Sequence, residues 1–388
     1  MKRLLTLLLL LSPLTSHPSP LTSHPSSLTS TWATAVEPTG QGDMPRTTNL
    51  TDCSLRQIVH VSLGGETLRL RLSNEFGSAP VEIRSVFIAD ARDSSDIDAH
   101  TARYLSFGGR RSVTIEPSET IASDLVAYHL RPLQRLSVTI CYGRAPEHAT
   151  SHRGSRTTSY IMPGIAKPKK PFRTTERLEH WYNLSAIDVE ATAPVVAVLG
   201  NSITDGRGST TNHQDRWTDA MAEALGGRVG VLNLGIGGNA VVRGGLSQPA
   251  LVRFDRDILG QAGVTHLIVF EGVNDIGNSR HAEQTTEELI DAYRQFIRKA
   301  HERGIKVYGA TITPFGGSDY WSPFHEAARQ TVNQWIRTSP EWDGVIDFDR
   351  LTADPAAPER LRESWQSDWL HPNAEGYKAM GKFAALGF

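Results

Sequence analysis

Three residues of the sequence are of the types that acyl transfer requires. Ser202 follows the apolar run PVVAVLG (194–200), within the stretch GNSITDG, so its hydroxyl would lie where a strand turns into a helix. A serine hydroxyl is a weak nucleophile unless a neighbouring base removes its proton. His371, in the stretch DWLHPN, is a candidate base, and Asp368 precedes it by three residues. A carboxylate at that spacing can hold the imidazole in the tautomer that accepts the proton.

Donors for a transient oxyanion follow two other apolar runs. The segment LNLGIGGN contains Gly238, and GVND contains Asn274. The backbone N–H groups of Ser202 and Gly238, with the side-chain amide of Asn274, would form an oxyanion hole. Taken singly, each residue has another explanation, since Ser202 could be a helix N-cap, the glycines a turn and Asn274 a loop cap. The hypothesis depends on their combination in chain order.

A parallel sheet would bring these residues together. Near-continuous apolar runs, which are typical of strands buried on both faces of such a sheet, occur at 194–200, 229–235, 266–272, 305–312 and 344–349. Helical segments alternate with them, and the clearest spans 285–303, with Thr285 and Glu288 as a capping box and Gly304 as its stop. The alternation predicts a doubly wound α/β domain over 191–388. In such sheets the working residues lie at the carboxyl ends of the strands.

The preceding part of the chain follows a different pattern. Short runs that alternate apolar and polar residues, separated by glycine and proline turns, occur at 55–62, 67–73, 81–89, 111–115 and 135–142. A period of two with regular turns predicts an antiparallel β-sandwich of the jelly-roll kind over 31–160. A loop-rich segment over 161–190 is predicted to link the two domains. The sandwich would either bind carbohydrate or form a wall of the cleft, and the absence of an aromatic cluster on one face favours the wall.

Composition and the N-terminal sequence limit the class of protein. A hydrophobic fraction of 39% and a charged fraction of 21% are ordinary for a globular protein. A net charge of -2 gives no electrostatic reason to expect nucleic acid or an anionic membrane as a partner. The start MKRLLTLLLLLSPLTS has a basic end and an apolar run too short to span a bilayer, as secretory signals do. We predict a signal peptide and Ser/Thr/Pro-rich leader over 1–30, a secreted or periplasmic location and no membrane insertion after its removal.

The chain has two cysteines, Cys53 and Cys141. In an exported protein they could form one disulfide, but a pairing cannot be read from sequence alone. A disulfide and two free buried thiols are therefore equally open. The oligomeric state is open as well.

Four stretches resemble the sequence blocks of the SGNH/GDSL hydrolase superfamily, in the family's order: GNSITDG, LNLGIGGN, GVND and DWLHPN. The longer stretches ALVRFDRDILGQAGV and RQIVHVSLGGETLRLRLSNEFG are similar to one branch of secreted bacterial GDSL-type esterases, which pair a β-sandwich with the hydrolase domain. The resemblance implies a flavodoxin-like sheet and the hydrolysis of ester bonds, with no metal or cofactor. O-acetyl esters of carbohydrates are a frequent substrate assignment in that branch.

The resemblance also implies a role for each matching residue. Ser202 would be the nucleophile and an oxyanion donor, with Gly238 and Asn274 as further donors. Asp368 would orient His371, the base. The sequence departs from the family's usual pattern at Asn201, where aspartate is more common, and this removes a charge beside the nucleophile.

Weaker signals concern the substrate, which we expect to be a small-molecule or polysaccharide ester. Trp321 and Trp369 lie in segments expected near the cleft and could stack on a sugar ring, although packing inside loops explains them equally well. Arg243 could contact an acidic sugar, as could Arg207 and Arg253, but a solvated surface position is the commoner role. His152 and Arg153 are candidates to reach the site from the sandwich side.

Three other functions fit parts of the pattern. A lipase or thioesterase of the same superfamily would use the same residues, but no long uncovered apolar helix suggests a lid. A metal-dependent phosphoesterase would need carboxylates after several strands, where this sequence has serine, glycine and asparagine. An inactive carbohydrate-binding protein would not need all five acyl-transfer residues.

Overall fold

The computed structural model describes residues 28–40 and 42–388. Most of the predicted signal peptide and leader therefore lies outside the described residues, and residues 28–30 begin a strand instead. The N-terminal half consists of strands β1 (Leu28–Ala33), β2 (Glu37–Pro38), β3 (Cys53–His60), β4 (Gly65–Ser73), β5 (Val81–Asp90), β6 (Arg103–Tyr104), β7 (Val113–Ile115), β8 (Thr120–Ala122), β9 (Val126–Leu130), β10 (Arg135–Tyr142), β11 (Thr150–His152), β12 (Ser159–Pro163), β13 (Glu176–Leu178), β14 (Trp181–Tyr182) and β15 (Leu184–Glu190).

Two antiparallel sheets pack face to face in this half, as the alternating pattern predicts. One has the order β1-β15-β4-β8, with β9 also on β4, and the other has the order β13-β12-β3-β10-β5-β6, with β7 also on β5. Apolar side chains of β4 and β15 share one core with those of β3, β5 and β10. A smaller sheet, β14-β11-β2, completes the half. The period of two thus buries one row of side chains from each large sheet.

The two cysteines are free and buried. In the register of β3 and β10, Cys141 lies opposite Ser54 rather than Cys53. Successive side chains of a strand point to opposite faces, so Cys53 and Cys141 lie on opposite faces of the sheet. Cys53 accordingly belongs to the sandwich core, whereas Cys141 packs in a separate small cluster with Phe87 and Ala166. The register thus selects two free thiols over the disulfide.

The sandwich extends further along the chain than the pattern indicated. Residues 161–190, predicted as a linker, include β13, β14 and β15 and the end of β12. Strand β15 lies between β1 and β4 and pairs with both along most of its length. Its sequence, LSAIDVE, alternates only weakly, because Asp188 is buried and bound to Arg69 and Arg71 of the neighbouring strand. A buried ion pair hid this strand from the hydrophobic pattern.

The C-terminal half contains a five-stranded parallel sheet covered by helices. The order is β17-β16-β18-β19-β20, which is the flavodoxin-like order. The elements are β16 (Val195–Gly200), β17 (Gly230–Gly235), β18 (His266–Phe270), β19 (Lys306–Ala310), β20 (Gly344–Ile346), the hairpin β21 (Ala353–Asp354) and β22 (Ala357–Leu361), and helices α1 (Ser202–Asp205), α2 (Trp217–Ala224), α3 (Ala250–Phe254), α4 (Val273–Gly277), α5 (Ala282–His301), α6 (Pro323–Thr338), α7 (Phe348–Thr352) and α8 (Ala374–Ala385). The predicted doubly wound fold is confirmed.

Helix α5 carries the predicted apolar stripe but begins earlier than predicted. Leu289, Tyr293 and Phe296 are buried on its inner face. Its first residue is Ala282, and its N-cap, His281, makes no side-chain capping bond. The capping box predicted at Thr285 and Glu288 was therefore wrong. Ser279 Oγ shares a hydrogen bond with Thr285 Oγ1 instead, so the preceding turn uses the hydroxyl that the pattern assigned to the cap.

The two halves share a polar interface. Ser30 of β1 donates its N–H to the carbonyl of Ala262, and Ser62 Oγ accepts the N–H of Val231 in β17. His60 Nδ1 lies 3.1 Å from Asp219 Oδ1 of α2. None of the helices in the described part of the chain is both long and apolar enough to cross a membrane.

Candidate active site

Ser202 begins α1, directly after the carboxyl end of β16. Asn201 is the N-cap, and its Oδ1 accepts the N–H of Ile203 at 3.1 Å. The cap role that could have explained Ser202 thus belongs to its neighbour. The Ser202 side chain lies instead in the cleft, with its Oγ 2.8 Å from His371 Nε2.

The imidazole of His371 is held from its other nitrogen by Asp368. His371 Nδ1 is 2.8 Å from Asp368 Oδ2, and the His371 backbone N–H donates to Asp368 Oδ1 at 2.8 Å. Leu370 donates its N–H to the same oxygen at 3.2 Å. These backbone bonds close a tight turn and fix the carboxylate, so the proton on Nδ1 is retained and Nε2 is left to accept one.

The electrostatics favour an ionised Asp368 beside a neutral His371. Although burial raises the pKa of the Asp368 carboxyl, hydrogen bonds from His371 and Leu370 lower it below its ordinary value. Burial lowers the pKa of the His371 imidazole; Asp368 opposes that shift, and the positive charges of Arg207 and Arg156 add to it. A neutral imidazole is the form that can act as a base.

The three predicted oxyanion donors line the same cleft. Gly238 has φ +68°, a left-handed conformation that favours glycine. Within residues 28–40 and 42–388, the backbone N–H groups of Ser202 and Gly238 donate to no protein acceptor. Asn274 donates from Nδ2 to the carbonyl of Asn239 at 2.8 Å and accepts the hydroxyl of Tyr320 on Oδ1 at 2.9 Å. Those two bonds fix the amide orientation and leave its second N–H unused.

The sandwich supplies one side of the cleft through Glu37, Arg153, Gly154 and Arg156. Arg156 Nη2 donates to Asp205 Oδ2 at 2.8 Å. Of the two candidates from this side, Arg153 lines the cleft. His152 lies behind it, with Nε2 2.9 Å from Asp205 Oδ1. The finding agrees with the sandwich as a wall.

The substrate-binding residues suggested by the sequence lie mostly outside the cleft. Trp321 is 42% exposed and Trp369 stacks near Arg360; neither lines the cleft around Ser202. Arg243 lines an adjoining depression and is paired with Glu288. The aromatic residue that reaches the cleft is Tyr320.

Arg253, expected at the surface, is fully buried beneath the site. Its guanidinium donates to the carbonyls of Gly200 and Leu234 and to Asn239 Oδ1, at 2.8–3.0 Å. It thereby joins the ends of β16 and β17 to Asn239, which directly follows the oxyanion donor Gly238. A lone arginine in the short helix ALVRF gives little sequence signal for such a role, since two of its partners are backbone carbonyls and its ion pair with Asp257 has the four-residue spacing of an ordinary helix-surface pair.

The contact of Asn201 with Glu271 explains why asparagine is present at position 201, where aspartate is more common in the family. Asn201 Nδ2 donates to Glu271 Oε2 at 3.1 Å, and Glu271 is buried after β18. Burial raises the pKa of Glu271 to about 8. An aspartate at 201 would bring a second carboxylate against this glutamate. Asparagine supplies the same cap and a donor as well.

Among the residues that the structure describes, no group of three or more His, Cys, Asp or Glu side chains is arranged to hold a metal ion. The site brings a serine, an imidazole and a carboxylate together in a row, at the carboxyl ends of a flavodoxin-like sheet. Such a row on such a sheet is the arrangement of the class of serine hydrolases with a doubly wound α/β fold.

Comparison with known proteins places the domain more closely. Residues 198–379 match the GDSL-like Lipase/Acylhydrolase family. The C-terminal domain of this chain belongs to that family, which confirms the resemblance read from the sequence blocks. No curated protein matches the chain.

Solved structures similar to this chain cover about half of it. A GDSL-like lipase from Bacteroides thetaiotaomicron VPI-5482 has 18% identity and a TM-score of 0.38, covering 50% of this chain and 86% of its own. A carbohydrate acetylesterase family member from Sinorhizobium meliloti has 17% identity and a TM-score of 0.40, covering 50% and 100%. A member of the lipolytic protein G-D-S-L family from Veillonella parvula DSM 2008 has 20% identity and a TM-score of 0.39, covering 51% and 98%.

Proposed function

We propose that this chain is a serine esterase that hydrolyses small acyl esters, O-acetyl esters of carbohydrates in particular, through an acyl-enzyme on Ser202. The observation that carries the proposal is the continuous contact from Ser202 Oγ to His371 Nε2 and from His371 Nδ1 to Asp368 Oδ2, 2.8 Å in each case. The hydrogen-bonded row matches the arrangement that activates a serine hydroxyl.

Acylation would proceed in two proton-balanced steps. His371 Nε2 takes the hydroxyl proton as Ser202 Oγ bonds to the ester carbonyl carbon. The carbonyl oxygen becomes an oxyanion held by the N–H groups of Ser202 and Gly238 and by the Asn274 amide. The imidazolium then gives its proton to the alcohol oxygen, the carbon–oxygen bond to the alcohol breaks, and the acyl group remains on Ser202.

Deacylation would repeat the sequence with water in place of the hydroxyl. His371 takes a proton from water, whose oxygen attacks the acyl carbon. The second tetrahedral intermediate collapses when the proton passes to Ser202 Oγ, which releases the acid and restores the enzyme. Asp368 stays ionised throughout and stabilises the transient imidazolium.

The lining of the cleft supports a short acyl group on a polar alcohol. The cleft has a volume of about 310 Å³, and its apolar side chains are Leu246 and Leu370. Half of the remaining lining residues carry an arginine, carboxylate or amide side chain. A long acyl chain would need a continuous apolar wall, since burying it against unpaired polar groups forfeits the gain. Acetyl esters of sugars therefore fit better than lipids.

The test is the turnover of p-nitrophenyl acetate by the native chain and by Ser202→Ala. We expect the substitution to lower kcat by about 10³-fold or more, while Ser112→Ala, at an exposed serine of the sandwich, leaves it unchanged.

A chelator should not alter turnover. In a series from acetyl to palmitoyl esters, kcat/KM should fall with chain length. Retained activity in Ser202→Ala would exclude the nucleophile, and a preference for palmitoyl would exclude the substrate class.

A further inference from the structure

Three arginine side chains face the cleft. Arg153 and Arg156 come from the sandwich, and Arg207 follows α1. Their side chains are 27%, 27% and 62% exposed, respectively. The carboxylates paired with the first two lie behind them, since Glu37 and Asp205 have side chains only 2% and 1% exposed. The cleft therefore presents the guanidinium groups of Arg153 and Arg156 to a ligand while their paired carboxylates are buried, and the carboxylate nearest Arg207 is that of Asp368, which also binds His371.

Arg207 retains free donors. Its Nε lies 3.7 Å from Asp368 Oδ2, beyond hydrogen-bond distance. In the described chain its guanidinium makes no hydrogen bond to another protein group. A planar guanidinium with unused donors matches a carboxylate or phosphate through two parallel bonds. Arg207 is thus the arginine most available to a ligand.

The positive field reaches the reacting groups. The pKa of the His371 imidazole is lowered by burial first, and then by the charges of Arg207 and Arg156. His371 returns its proton to the leaving alcohol, so groups beside the imidazole face the alcohol part of the ester. The oxyanion donors Gly238 and Asn274 mark the place of the carbonyl oxygen. Arg207 and Arg156, the arginines beside the imidazole, are therefore near the alcohol part of the ester.

We propose that the preferred substrates carry an anionic group, a carboxylate, on the alcohol part of the ester, as an acidic sugar does, and that Arg207 binds it. Arg153 and Arg156 strengthen the field at this end of the cleft. This inference rests on the proposed esterase function and adds the substrate class. An anion here would be attracted by several positive charges at one end of the cleft, and because Arg207 is 62% exposed this attraction is sensitive to ionic strength.

The experiment compares two aryl acetates of the same shape. The anionic one is 3-carboxy-4-nitrophenyl acetate, and the neutral one is 3-carbamoyl-4-nitrophenyl acetate. For each, kcat/KM is divided by the rate of uncatalysed hydrolysis, which removes the difference in leaving-group reactivity. We expect the anionic ester to be preferred by roughly 10-fold or more at low ionic strength. The preference should shrink in 0.5 M salt, about the concentration at which charges are screened beyond a few ångströms.

Three variants locate the effect, and two of them, Arg207→Gln and Arg228→Gln, change the charge equally. Arg207→Gln should lower the preference several-fold, and Arg207→Glu should reverse it. Arg228→Gln, at an exposed arginine outside the cleft, should leave it as in the native chain. In the described residues the Arg207 guanidinium makes no hydrogen bond, and the hydrogen bonds of Arg207 to Ser202 and Tyr377 use its backbone, so these variants keep the native packing.

The outcomes separate this inference from the proposed function. Turnover of both esters without a preference, or a preference equally reduced by Arg228→Gln, would overturn the anionic substrate class and leave the esterase intact. A native preference that Arg207→Gln and Arg207→Glu do not alter would also overturn it. Failure to hydrolyse either ester would overturn both conclusions.

Discussion

The imidazole of His371 lies between a carboxylate that stabilises its charged form and surroundings that oppose that form. Burial and the charges of Arg207 and Arg156 prevail, so its pKa lies below the ordinary 6.5. Because the neutral form is the base, kcat/KM for a neutral ester should fall on the acid side with an apparent pKa below 6.5. Arg207→Gln should move this acid limb of the pH–rate profile to higher pH, since the variant lacks a positive charge that opposes protonation of His371.

Asp368→Asn should shift the same limb in the opposite direction. Without the carboxylate the imidazolium loses its main stabilising partner, so the pKa falls further. The plateau value of kcat/KM above this limb should drop by about 10²–10⁴-fold, because no carboxylate then holds the proton of His371 on Nδ1. pH–rate profiles of the native chain and both variants check the signs. An acid limb above 6.5 in the native chain would contradict the lowered pKa of His371.

Tyr320 positions the Asn274 amide through its hydroxyl. The 2.9 Å bond to Asn274 Oδ1 orients the side chain so that the unused N–H of Nδ2 can face the oxyanion. Tyr320→Phe should lower kcat by about 2–12-fold, the effect of one net hydrogen bond of 0.5–1.5 kcal/mol, with KM little changed. Tyr308→Phe, in β19 away from the cleft, is the matched control. An equal loss in both variants, or a change in KM alone, would assign Tyr320 another role.

The limits of sequence reasoning differ among the residues of the site. Ser202, Asn274 and His371 could be found because each follows a strand end or belongs to a short motif. Tyr320 could not, since its bond to Asn274 joins segments that only the folded sheet brings together. Arg253 was assigned to the surface because that is the commoner place of an arginine. Its ion pair with Asp257, four residues later, is equally typical of an exposed helix face, and its bonds to backbone carbonyls carry no sequence signature.

The elements were predicted with unequal success for a physical reason. The parallel strands have long apolar runs, and their ends agree with prediction to within about three residues. Helix α5 was also found, but its start was not, because a hydroxyl at position 285 can serve a turn as well as a cap. Strand β15 was missed because it carries a buried aspartate. Hydrophobic periodicity identifies strands and helices that bury an apolar face, and it misses an element in which a paired charge is buried.

Helices α2 and α8 pack at a distance that only glycine permits at position 381. A Cβ on Gly381 would lie 2.3 Å from the carbonyl oxygen of Trp217 and 2.7 Å from the backbone nitrogen of Met221. Gly381→Ala would gain about 1 kcal/mol of helix propensity, yet the clash with backbone should cost more. We expect a net loss of about 1–3 kcal/mol in the free energy of unfolding.

Denaturant unfolding of Gly381→Ala measures this loss. Gly387→Ala is the control, since a Cβ there would meet only the Ala384 carbonyl oxygen, at 3.5 Å, and Tyr308. A more stable Gly381→Ala variant would mean that the two helices can separate at little cost.

On the scale of the whole chain, the sandwich and the hydrolase domain share one site. The sandwich provides Arg153 and Arg156 to the cleft, and His152 binds Asp205 of α1 at 2.9 Å. Both partners of the latter pair are buried. The predicted division into two domains with a linker misses the shared site, because the contacts between the domains are polar and join residues far apart in the chain.

This interface should make the two halves unfold together. His60 and His152 of the sandwich pair with Asp219 and Asp205 of the hydrolase domain. Separating the halves would deprive the buried Asp205 of both His152 and Arg156, and leaving a buried charge unpaired costs about 3–5 kcal/mol. Asp219 would lose His60 but keep Arg216. Thermal unfolding followed by circular dichroism and by tryptophan fluorescence should therefore show one coincident transition.

Alanine variants test whether these pairs cause the coupling. His152→Ala removes one of the two partners of the buried Asp205 carboxylate, while Arg156 remains, so it should lower the free energy of unfolding by about 1.5–3 kcal/mol. The double variant with His60→Ala should split the transition in two. His129→Ala, at an exposed histidine of the sandwich paired with Glu66, should change stability by less than about 0.5 kcal/mol. Two separate transitions in the native chain would show that each half is stable alone and that the shared cleft is assembled by docking.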